Sequence, residues 1–276
     1  PLQRLARAGL VEPVPFQGAD PGPLDAIFLH FVDVNRTSAP VLLPLVERAF
    51  TAGTALILDA DDPYFFGPDC GVEESYEPHH ELMRRFCGLA HVVTVATAAL
   101  KEELAPFARA TAVLPNAVDL DASPLRPRTS ARLRVGWSGG PTHQLDLASF
   151  LPAVRLLQAE VDVDFVLFGL FDRDIAETVR KAQAMSPAER ARIPALAAFG
   201  RMADALAGVR FEHHPSVRFA EFPARLAALD LDVGVCPVDD TRFNRCRSAV
   251  KFYQYAAAGT VTVASDVAAY RGECNL

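Results

Sequence analysis

Residues 233–264 read VGVCPVDDTRFNRCRSAVKFYQYAAAGTVTVA, and this stretch decides the fold class. Its two apolar runs, Val233–Val235 and Thr260–Ala264, are rich in β-branched residues, which is typical of strands buried on both faces of a parallel sheet. The helix predicted between them begins near Ser248, a residue type that caps helix N-termini, and ends at Gly259, a residue type common just after a helix. The order strand, helix, strand predicts a right-handed βαβ unit.

The same alternation of apolar runs and helical patterns extends through the chain and predicts an α/β fold. The predicted strands are Ala26–Phe31, Ala55–Leu58, His91–Val95, Ala112–Leu114, Leu133–Trp137, Asp164–Phe168, Val217–Phe219, Val233–Val235 and Thr260–Ala264. The predicted helices are Ala39–Thr51, Glu77–Leu89, Ala98–Ala108, Leu145–Ala159, Phe222–Leu229 and Ala249–Ala258.

One break interrupts this alternation. Residues Asp119–Arg132 (DLDASPLRPRTSAR) combine Pro, Ser and charged side chains and have no apolar period, which predicts an interdomain linker. The chain then divides into two α/β units, residues 1–118 and 133–276. Within the second unit, Asp172–Leu206 is rich in Ala and Arg and contains no strand pattern, so we predict a helical insertion there.

Composition excludes several classes of function. The chain has 276 residues, with 27 Lys and Arg against 34 Asp and Glu, for a net charge of −7. An acidic chain without a basic run is a poor candidate for binding nucleic acid. No segment approaches the roughly 20 apolar residues of a transmembrane helix, although peripheral membrane contact stays open. Five cysteines without CxxC spacing favour the reducing cytoplasm over a secreted, disulfide-bonded protein.

The first candidate site is the segment Val135–Leu147, VGWSGGPTHQLDL. A predicted strand ends at Trp137, Gly139 and Gly140 follow, and a helix begins shortly afterwards. Glycines permit close approach of a ligand to the backbone, and amides at a helix start attract anions. A tight strand-to-helix turn without a ligand explains the pattern equally well, and His143 has the matching alternative of packing on that turn.

The second candidate site is the start of the helix that ends at Gly259. Arg245, Arg247 and Lys251 place three cations there, in a chain that is acidic overall. A local cationic cluster at a helix start favours a phosphate site. The alternative is that these side chains form ion pairs with neighbouring carboxylates, those of Asp239 and Asp240.

The third candidate site is the acidic turn that contains Asp59, Asp61 and Asp62, directly after a predicted strand. Such carboxylates can bind a divalent metal, act as a base or hold substrate hydroxyls, and the alternative is a solvated turn. His30 ends the first predicted strand and is a weaker candidate, with a core or loop position as its alternative. No metal-binding histidine motif is present, so we predict no metal site.

Five segments, taken in order, resemble the nucleotide-sugar-dependent glycosyltransferases of group 1, also called family 4. The segments are VVTVATAAL (92–100), VLPNAVDLD (113–121), RVGWSGGPTHQLDL (134–147), FPARLAALDLDVGVCPV (222–238) and SAVKFYQYAAAGTVTVAS (248–265). The combination of PNxVD with the KxxxYxAxG helix is the most specific part, and the match spans most of residues 26–270.

The resemblance implies the GT-B fold, in which two Rossmann-like domains direct their parallel sheets at a central cleft. It also implies a retaining transferase without cofactor or metal, whose first domain binds a saccharide, lipid-linked or small-molecule acceptor. Its second domain would bind a nucleotide-diphosphate sugar. The residues implied for the phosphates are Gly139, Gly140, Arg247, Ser248 and Lys251. Gln254 is implied for the ribose, Asp61 or Asp62 for sugar or acceptor hydroxyls, and His143, near a family lysine, for the catalytic group.

The chain also departs from the family pattern. Two glutamates that the family often carries align with Cys246 and Gln254, and its Arg and Lys after the first strand of the second domain are absent. The family's first strand would precede residue 1 and its last helices would follow Leu276, so both ends look clipped. These departures keep two alternatives open: a non-catalytic GT-B scaffold or partner-binding subunit, and an epimerase on the same fold.

Overall fold

The computed structural model describes residues 2–15, 24–31, 39–63, 73–122, 125, 129–140, 143–170, 176–192 and 194–271. Its strands form two parallel sheets, which confirms the predicted α/β class. The N-terminal sheet has the order β1-β2-β3-β4, with β1 Ala26–His30, β2 Ala55–Ala60, β3 Val92–Val95 and β4 Thr111–Val113. The C-terminal sheet has the order β7-β6-β5-β8-β9, with β5 Leu133–Gly139, β6 Val163–Gly169, β7 Phe211–His214, β8 Val233–Cys236 and β9 Val261–Ala264.

Helices connect the strands, as parallel pairing requires. With the N-terminal sheet are α1 Leu2–Arg7, α2 Ala39–Thr51, α3 Glu73–Leu89 and α4 Ala98–Leu104. With the C-terminal sheet are α5 Gln144–Glu160, α6 Ala176–Ala184, α7 Pro187–Ala191, α8 Pro194–Ala205, α9 Phe222–Ala228, α10 Arg242–Arg245 and α11 Val250–Ala257. We refer to the two sheets with their helices as the N-terminal and C-terminal units. Among the described helices, none combines the length and apolar character needed to cross a membrane.

The helices between β6 and β7 are part of the core of the C-terminal unit. Val179 of α6 and Met202 of α8 are buried in one cluster with Trp137 of β5 and Leu147 of α5. The segment predicted as an insertion is therefore, in its described part, the crossover that covers this face of the sheet.

One predicted strand is wrong. Val217–Phe219 is not a strand, since residues 219–221 form a 3₁₀ turn that leads into α9. The strand next to β6 is instead β7, with sequence FEHH. β7 lies at the edge of the sheet, and none of its residues is fully buried, which suits its charged and polar side chains. Because it contains no apolar run, the sequence pattern did not predict it.

Strand order determines where the C-terminal sheet binds ligands. From β5 the chain moves to β6 and β7 on one side, and then returns to β8 and β9 on the other. The crevice at the carboxyl ends of β5 and β8 is thus a topological switch point, the usual ligand position in such sheets. Helix α11 packs closely behind β8, because a Cβ at Gly234 would lie 2.5 Å from the Tyr255 ring. This packing fixes the start of α11 beside the crevice.

The segment predicted as an interdomain linker is held in place just before β5. Asp230, in the turn before β8, accepts hydrogen bonds from the backbone and hydroxyl of Thr129, at 2.8 and 2.9 Å, and from the Ser130 backbone N–H. Asp230 adopts a φ of 54°, a left-handed conformation that Asp tolerates better than most residues.

Candidate functional site

Two cavities meet at Lys251. The first, which we call the interunit cavity, is lined by Asp61, Asp62 and Asn116 of the N-terminal unit and by His143, Asn244, Arg247, Ser248 and Lys251 of the C-terminal unit. The second, which we call the sheet cavity, is lined by Gly139, Gly140, Phe168, Phe222, Lys251 and Gln254. The residues that the family resemblance implies for the site each line one of these two cavities, whereas Arg245, Asp59 and His30, the other candidates from the sequence, line neither.

Lys251 is a buried cation without a hydrogen-bond partner among the described residues. Its Nζ is closed off from solvent and lies 4.8 Å from the centroid of the buried Trp137 ring. Burial lowers the pKa of Lys251 to about 8, and the neighbouring Arg247 charge acts in the same direction. An ammonium group left unpaired in a buried position is costly unless an anion neutralises it.

Arg247 is the second cation, and it contacts both units. Its Nε lies 3.3 Å from the Oδ1 atom of Asp62, and its Nη1 lies 2.9 Å from the Nε2 atom of His143. Burial raises the pKa of Asp62, although the Arg247 charge opposes that rise. The ion pair therefore spans the interunit cavity from one sheet edge to the other.

Arg245, by contrast, forms an ion pair with a neighbouring carboxylate, the alternative that the sequence analysis left open for this cluster. Its Nε lies 2.8 Å from the Oδ1 atom of Asp240 in an exposed ion pair. The predicted cationic cluster thus divides into one surface pair and two cations at the cavities.

His143 precedes α5 and is buried. Its Nδ1 lies 2.9 Å from the Oδ2 atom of Asp146, one turn further along the helix. Burial and the charges of Lys251 and Arg247 hold the pKa of His143 well below its usual range, so the imidazole is neutral. With both ring nitrogens in contact with other side chains, His143 holds its neighbours in position in this structure.

Part of the predicted acidic turn, including Asp59, belongs to strand β2. Asp59 lies within β2, where its carboxylate accepts a hydrogen bond from Thr94 of β3. His30, at the end of β1, brings its Nε2 to 3.5 Å from Asp59 and 3.9 Å from Asp61. Parallel register places these side chains together, because His30 and Asp59 are direct partners across β1 and β2. The interpretation as a freely solvated turn is therefore wrong for Asp59.

Ser248 does not cap α11 as predicted. The helix begins at Val250 with Ala249 at the N-cap position, and no side chain caps it. The Ser248 hydroxyl instead accepts a hydrogen bond of 2.8 Å from Asn116, and Thr97 donates one of 2.7 Å to the backbone carbonyl of Cys246. The N-terminal unit thus holds the residues on either side of Arg247.

The glycine turn also differs from its prediction. β5 continues through Gly139, which pairs with Gly169 of β6, instead of ending at Trp137. A Cβ at Gly139 would lie 2.6 Å from the Trp137 ring and 3.0 Å from Lys251 Nζ, whereas one at Gly140 would meet nothing within 4 Å. Gly139 therefore leaves the space that the Lys251 ammonium occupies.

Sequence reasoning missed Asp146, Asn116 and Asn244. Asp146 accepts from the backbone N–H of Asp239 at 3.2 Å, and Asn244 donates to the Asp239 carbonyl at 2.9 Å. Asn116 belongs to the PNxVD segment, which could have marked it. Asp146 lies in the first turn of α5, three residues after His143, so local helix geometry brings the two together, and the spacing could have marked it. Its contact with the Asp239 backbone comes from the tertiary structure. Across the described ranges, no three His, Cys, Asp or Glu side chains group as potential metal ligands.

The sequence matches no protein-family model and no curated protein. Solved structures do resemble it. A UDP-forming α,α-trehalose-phosphate synthase from Burkholderia xenovorans has a TM-score of 0.53 at 16% identity, over 89% of this chain and 60% of that one. A second UDP-forming synthase, from Burkholderia vietnamiensis, has a TM-score of 0.52 at 16% identity, over 90% and 61%.

The E. coli trehalose-6-phosphate protein bound with UDP-2-fluoro glucose has a TM-score of 0.52 at 12% identity, over 91% of this chain and 61% of that one. This chain therefore spans about 60% of the length of the solved structures that it resembles. At this level of identity the likeness shows the fold: two parallel sheets arranged as in the GT-B enzymes. This agrees with the fold expected from the sequence.

Proposed function

We propose that this chain is a glycosyltransferase of the group 1 type that moves a sugar from a nucleotide-diphosphate sugar to an acceptor hydroxyl, with retention of configuration. The observation that carries the proposal is the buried Lys251 ammonium. It has no hydrogen-bond partner among the described residues, and it lies where two cavities meet at the carboxyl ends of β5 and β8. A diphosphate is the ligand chemistry that would neutralise this cation.

The surroundings of Lys251 favour a phosphate over other anions. Arg247 provides a planar guanidinium that can bind phosphate oxygens in pairs, and the glycines at the end of β5 permit close approach. In the proposed reaction these groups stabilise the negative charge that develops on the departing diphosphate, which is a major source of catalysis in such transfers. The similar synthases are described as UDP-forming, and one holds UDP-2-fluoro glucose, which favours a uridine nucleotide as the first donor to test.

The proposed acceptor side is the N-terminal unit. Asp61 and Asp62 face the interunit cavity opposite the cations. Carboxylates in such a position can accept hydrogen bonds from sugar or acceptor hydroxyls. The proposed enzyme is cytoplasmic, and Cys87, Cys236 and Cys246, which form no disulfide in the part of the chain that the structure describes, are in keeping with a reducing compartment.

The second candidate function is a non-catalytic scaffold with the same fold. Cys246, which stands where the family often has a glutamate, favours it. Burial raises the pKa of the Cys246 thiol to about 12, so the thiol stays neutral and cannot replace a carboxylate.

One experiment separates the two functions. The purified chain is mixed with UDP-, GDP-, ADP- and dTDP-sugars, without and with a panel of saccharide, lipid-linked and small-molecule acceptors whose hydroxyls can take the sugar, and both the shift in thermal unfolding and the release of free nucleotide are measured. We expect one nucleotide class to stabilise the protein and to be released. Stabilisation without release would favour the scaffold, and no stabilisation by any donor would overturn the proposal.

A further inference from the structure

We propose that Asp146 is a positioning residue that fixes the tautomer of His143 and, through it, directs the Arg247 guanidinium at the anion. This inference rests on the proposed function for the identity of the anion. The side chains of Asp146, His143 and Arg247 contact one another in that order, and they come from the start of α5 and from the loop before α11.

Asp146 is buried, and its carboxylate contacts His143, the Asp239 backbone and Asn244. One carboxylate oxygen lies 2.9 Å from His143 Nδ1, and the other accepts from the Asp239 backbone N–H at 3.2 Å. The Asn244 side chain also hydrogen-bonds to it. These contacts join the start of α5 to the loop after β8, the two segments that border the switch point.

The protonation states follow from the surroundings. The His143 imidazole is neutral, because burial and the two nearby cations lower its pKa. Burial raises the pKa of Asp146, while the Asp239 N–H and the charges of Lys251 and Arg247 oppose the rise. The Arg247 guanidinium has only donors and lies 2.9 Å from Nε2, so the single hydrogen of the neutral imidazole is on Nδ1, where Asp146 Oδ2 accepts it.

This tautomer leaves the lone pair on Nε2. Arg247 Nη1 lies 2.9 Å from that atom and 3.4 Å from Nδ1, so the closer nitrogen is the acceptor. In the opposite tautomer, an N–H at Nε2 would point at the guanidinium, which has only donors. Arg247 would then lose its hydrogen bond to His143 and keep only its ion pair with Asp62 and its contact with the Phe243 ring among the side-chain contacts that the structure describes for its guanidinium.

The test measures the tautomer directly. Histidine labelled with ¹⁵N reports by NMR, at pH 7 and without ligand, which ring nitrogen of His143 carries hydrogen, and a His143→Gln variant identifies the signal among the seven histidines. We expect the Nδ1–H form in the wild-type protein. We expect Asp146→Leu, which removes the acceptor, to shift the ring toward the Nε2–H form. Asp239→Asn is the matched control, because it removes a charge from the same loop without contacting the ring.

Calorimetry with UDP and with inorganic pyrophosphate completes the test. We expect Asp146→Leu to weaken both by about tenfold, the effect of one charge-assisted hydrogen bond, while Asp239→Asn retains the wild-type affinity. An Nε2–H tautomer in the wild-type protein overturns the proposal even if Asp146→Leu does not fold. A changed tautomer with unchanged affinity overturns the positioning role. No binding of either anion by the wild-type protein, whatever its tautomer, overturns the anion site and with it the proposed function.

Discussion

Arg247 Nε lies 3.3 Å from Asp62 Oδ1, so a cation of the C-terminal unit and a carboxylate of the N-terminal unit form an ion pair across the interunit cavity. The side chains are 26% and 27% exposed, which places the pair in the cavity wall where a ligand can reach it. A phosphate that binds Arg247 must therefore compete with Asp62.

This competition predicts that Asp62→Asn binds UDP more tightly. We expect a gain of about three- to fivefold, the range of a partly exposed ion pair, because the competing charge is gone. Calorimetry measures it. Asp61→Asn is the matched control, since it removes the neighbouring charge without breaking the Arg247 contact, and we expect it to leave UDP affinity unchanged and to reduce sugar transfer. An equal gain in both variants would show a general charge effect instead of competition.

Lys251→Met should stabilise the protein and weaken nucleotide binding. The pKa of Lys251 in the folded state, about 8, lies below its ordinary value of 10.5, so the protonated form favours the unfolded chain. That cost is fully present below pH 8 and disappears as pH rises past 10.5. Removing it should increase the free energy of unfolding at pH 7 by on the order of 3 kcal/mol, as measured by urea denaturation. UDP affinity should fall ten- to a hundredfold.

Lys101→Met is the control for this prediction, because Lys101 is an exposed lysine on α4 and lines neither cavity. We expect no change in stability or affinity. If Lys251→Met destabilised the protein while UDP affinity stayed the same, Lys251 would be a structural residue.

The affinity for UDP should fall as pH rises from 7 to 9. Lys251 loses its proton near pH 8 in the ligand-free protein, and only the protonated form attracts the diphosphate. Affinity at pH 9 should be about tenfold lower than at pH 7, since roughly a tenth of the lysine is still charged. Titration calorimetry at several pH values measures this. Lys251→Arg, which stays charged throughout, should bind equally well at both pH values, and a flat profile in the wild-type protein would contradict the assignment.

Gly139→Ala and Gly140→Ala should differ although the two residues are adjacent. A Cβ at Gly139 would contact the Trp137 ring and the Lys251 ammonium, whereas a Cβ at Gly140 enters open space. We expect Gly139→Ala to lower the unfolding temperature by several degrees, consistent with an overpacking cost of about 1–3 kcal/mol. Gly140→Ala should keep the wild-type temperature. Equal effects on unfolding would mean that the space beside Lys251 is not tightly defined.

The sequence predicted the central strands of the C-terminal sheet well, because β5, β6 and β8 are mostly buried and coincide with apolar runs. β9 was also found from an apolar run, although Val261 and Val263 are exposed and not buried as predicted. β7 was missed because FEHH has no such run, and its position depends on pairing with β6. The start of α11 was misplaced by one residue, since Ser248 uses its hydroxyl for Asn116 across the cavity and Ala249 takes the N-cap position.

Site residues could be predicted from the sequence where glycines or charged side chains follow a predicted strand. Gly139 directly follows a predicted strand, and Arg247 and Lys251 lie at the start of the helix that was predicted after another strand, so the sheet geometry brings them together. Whether a cation is paired could not be predicted, because Arg245 and Arg247 have similar neighbours in sequence and different partners in space. Asp146 was missed for a different reason: its i,i+3 spacing from His143 is visible in the sequence, but its contact with the loop after β8 is not.

The hydrogen bonds from Thr97 and Asn116 to the backbone of residue 246 and the hydroxyl of Ser248 have a thermodynamic consequence. Through them, the N-terminal unit contacts the segment of the C-terminal unit that carries Arg247. Contact between the halves changes the affinity for an anion at Arg247 by some factor. Because linkage is reciprocal, the bound anion changes the equilibrium constant for that contact by the same factor. A bound diphosphate would therefore strengthen or weaken the contact between the halves, and the size of that effect equals the ratio of its binding constants with and without the contact.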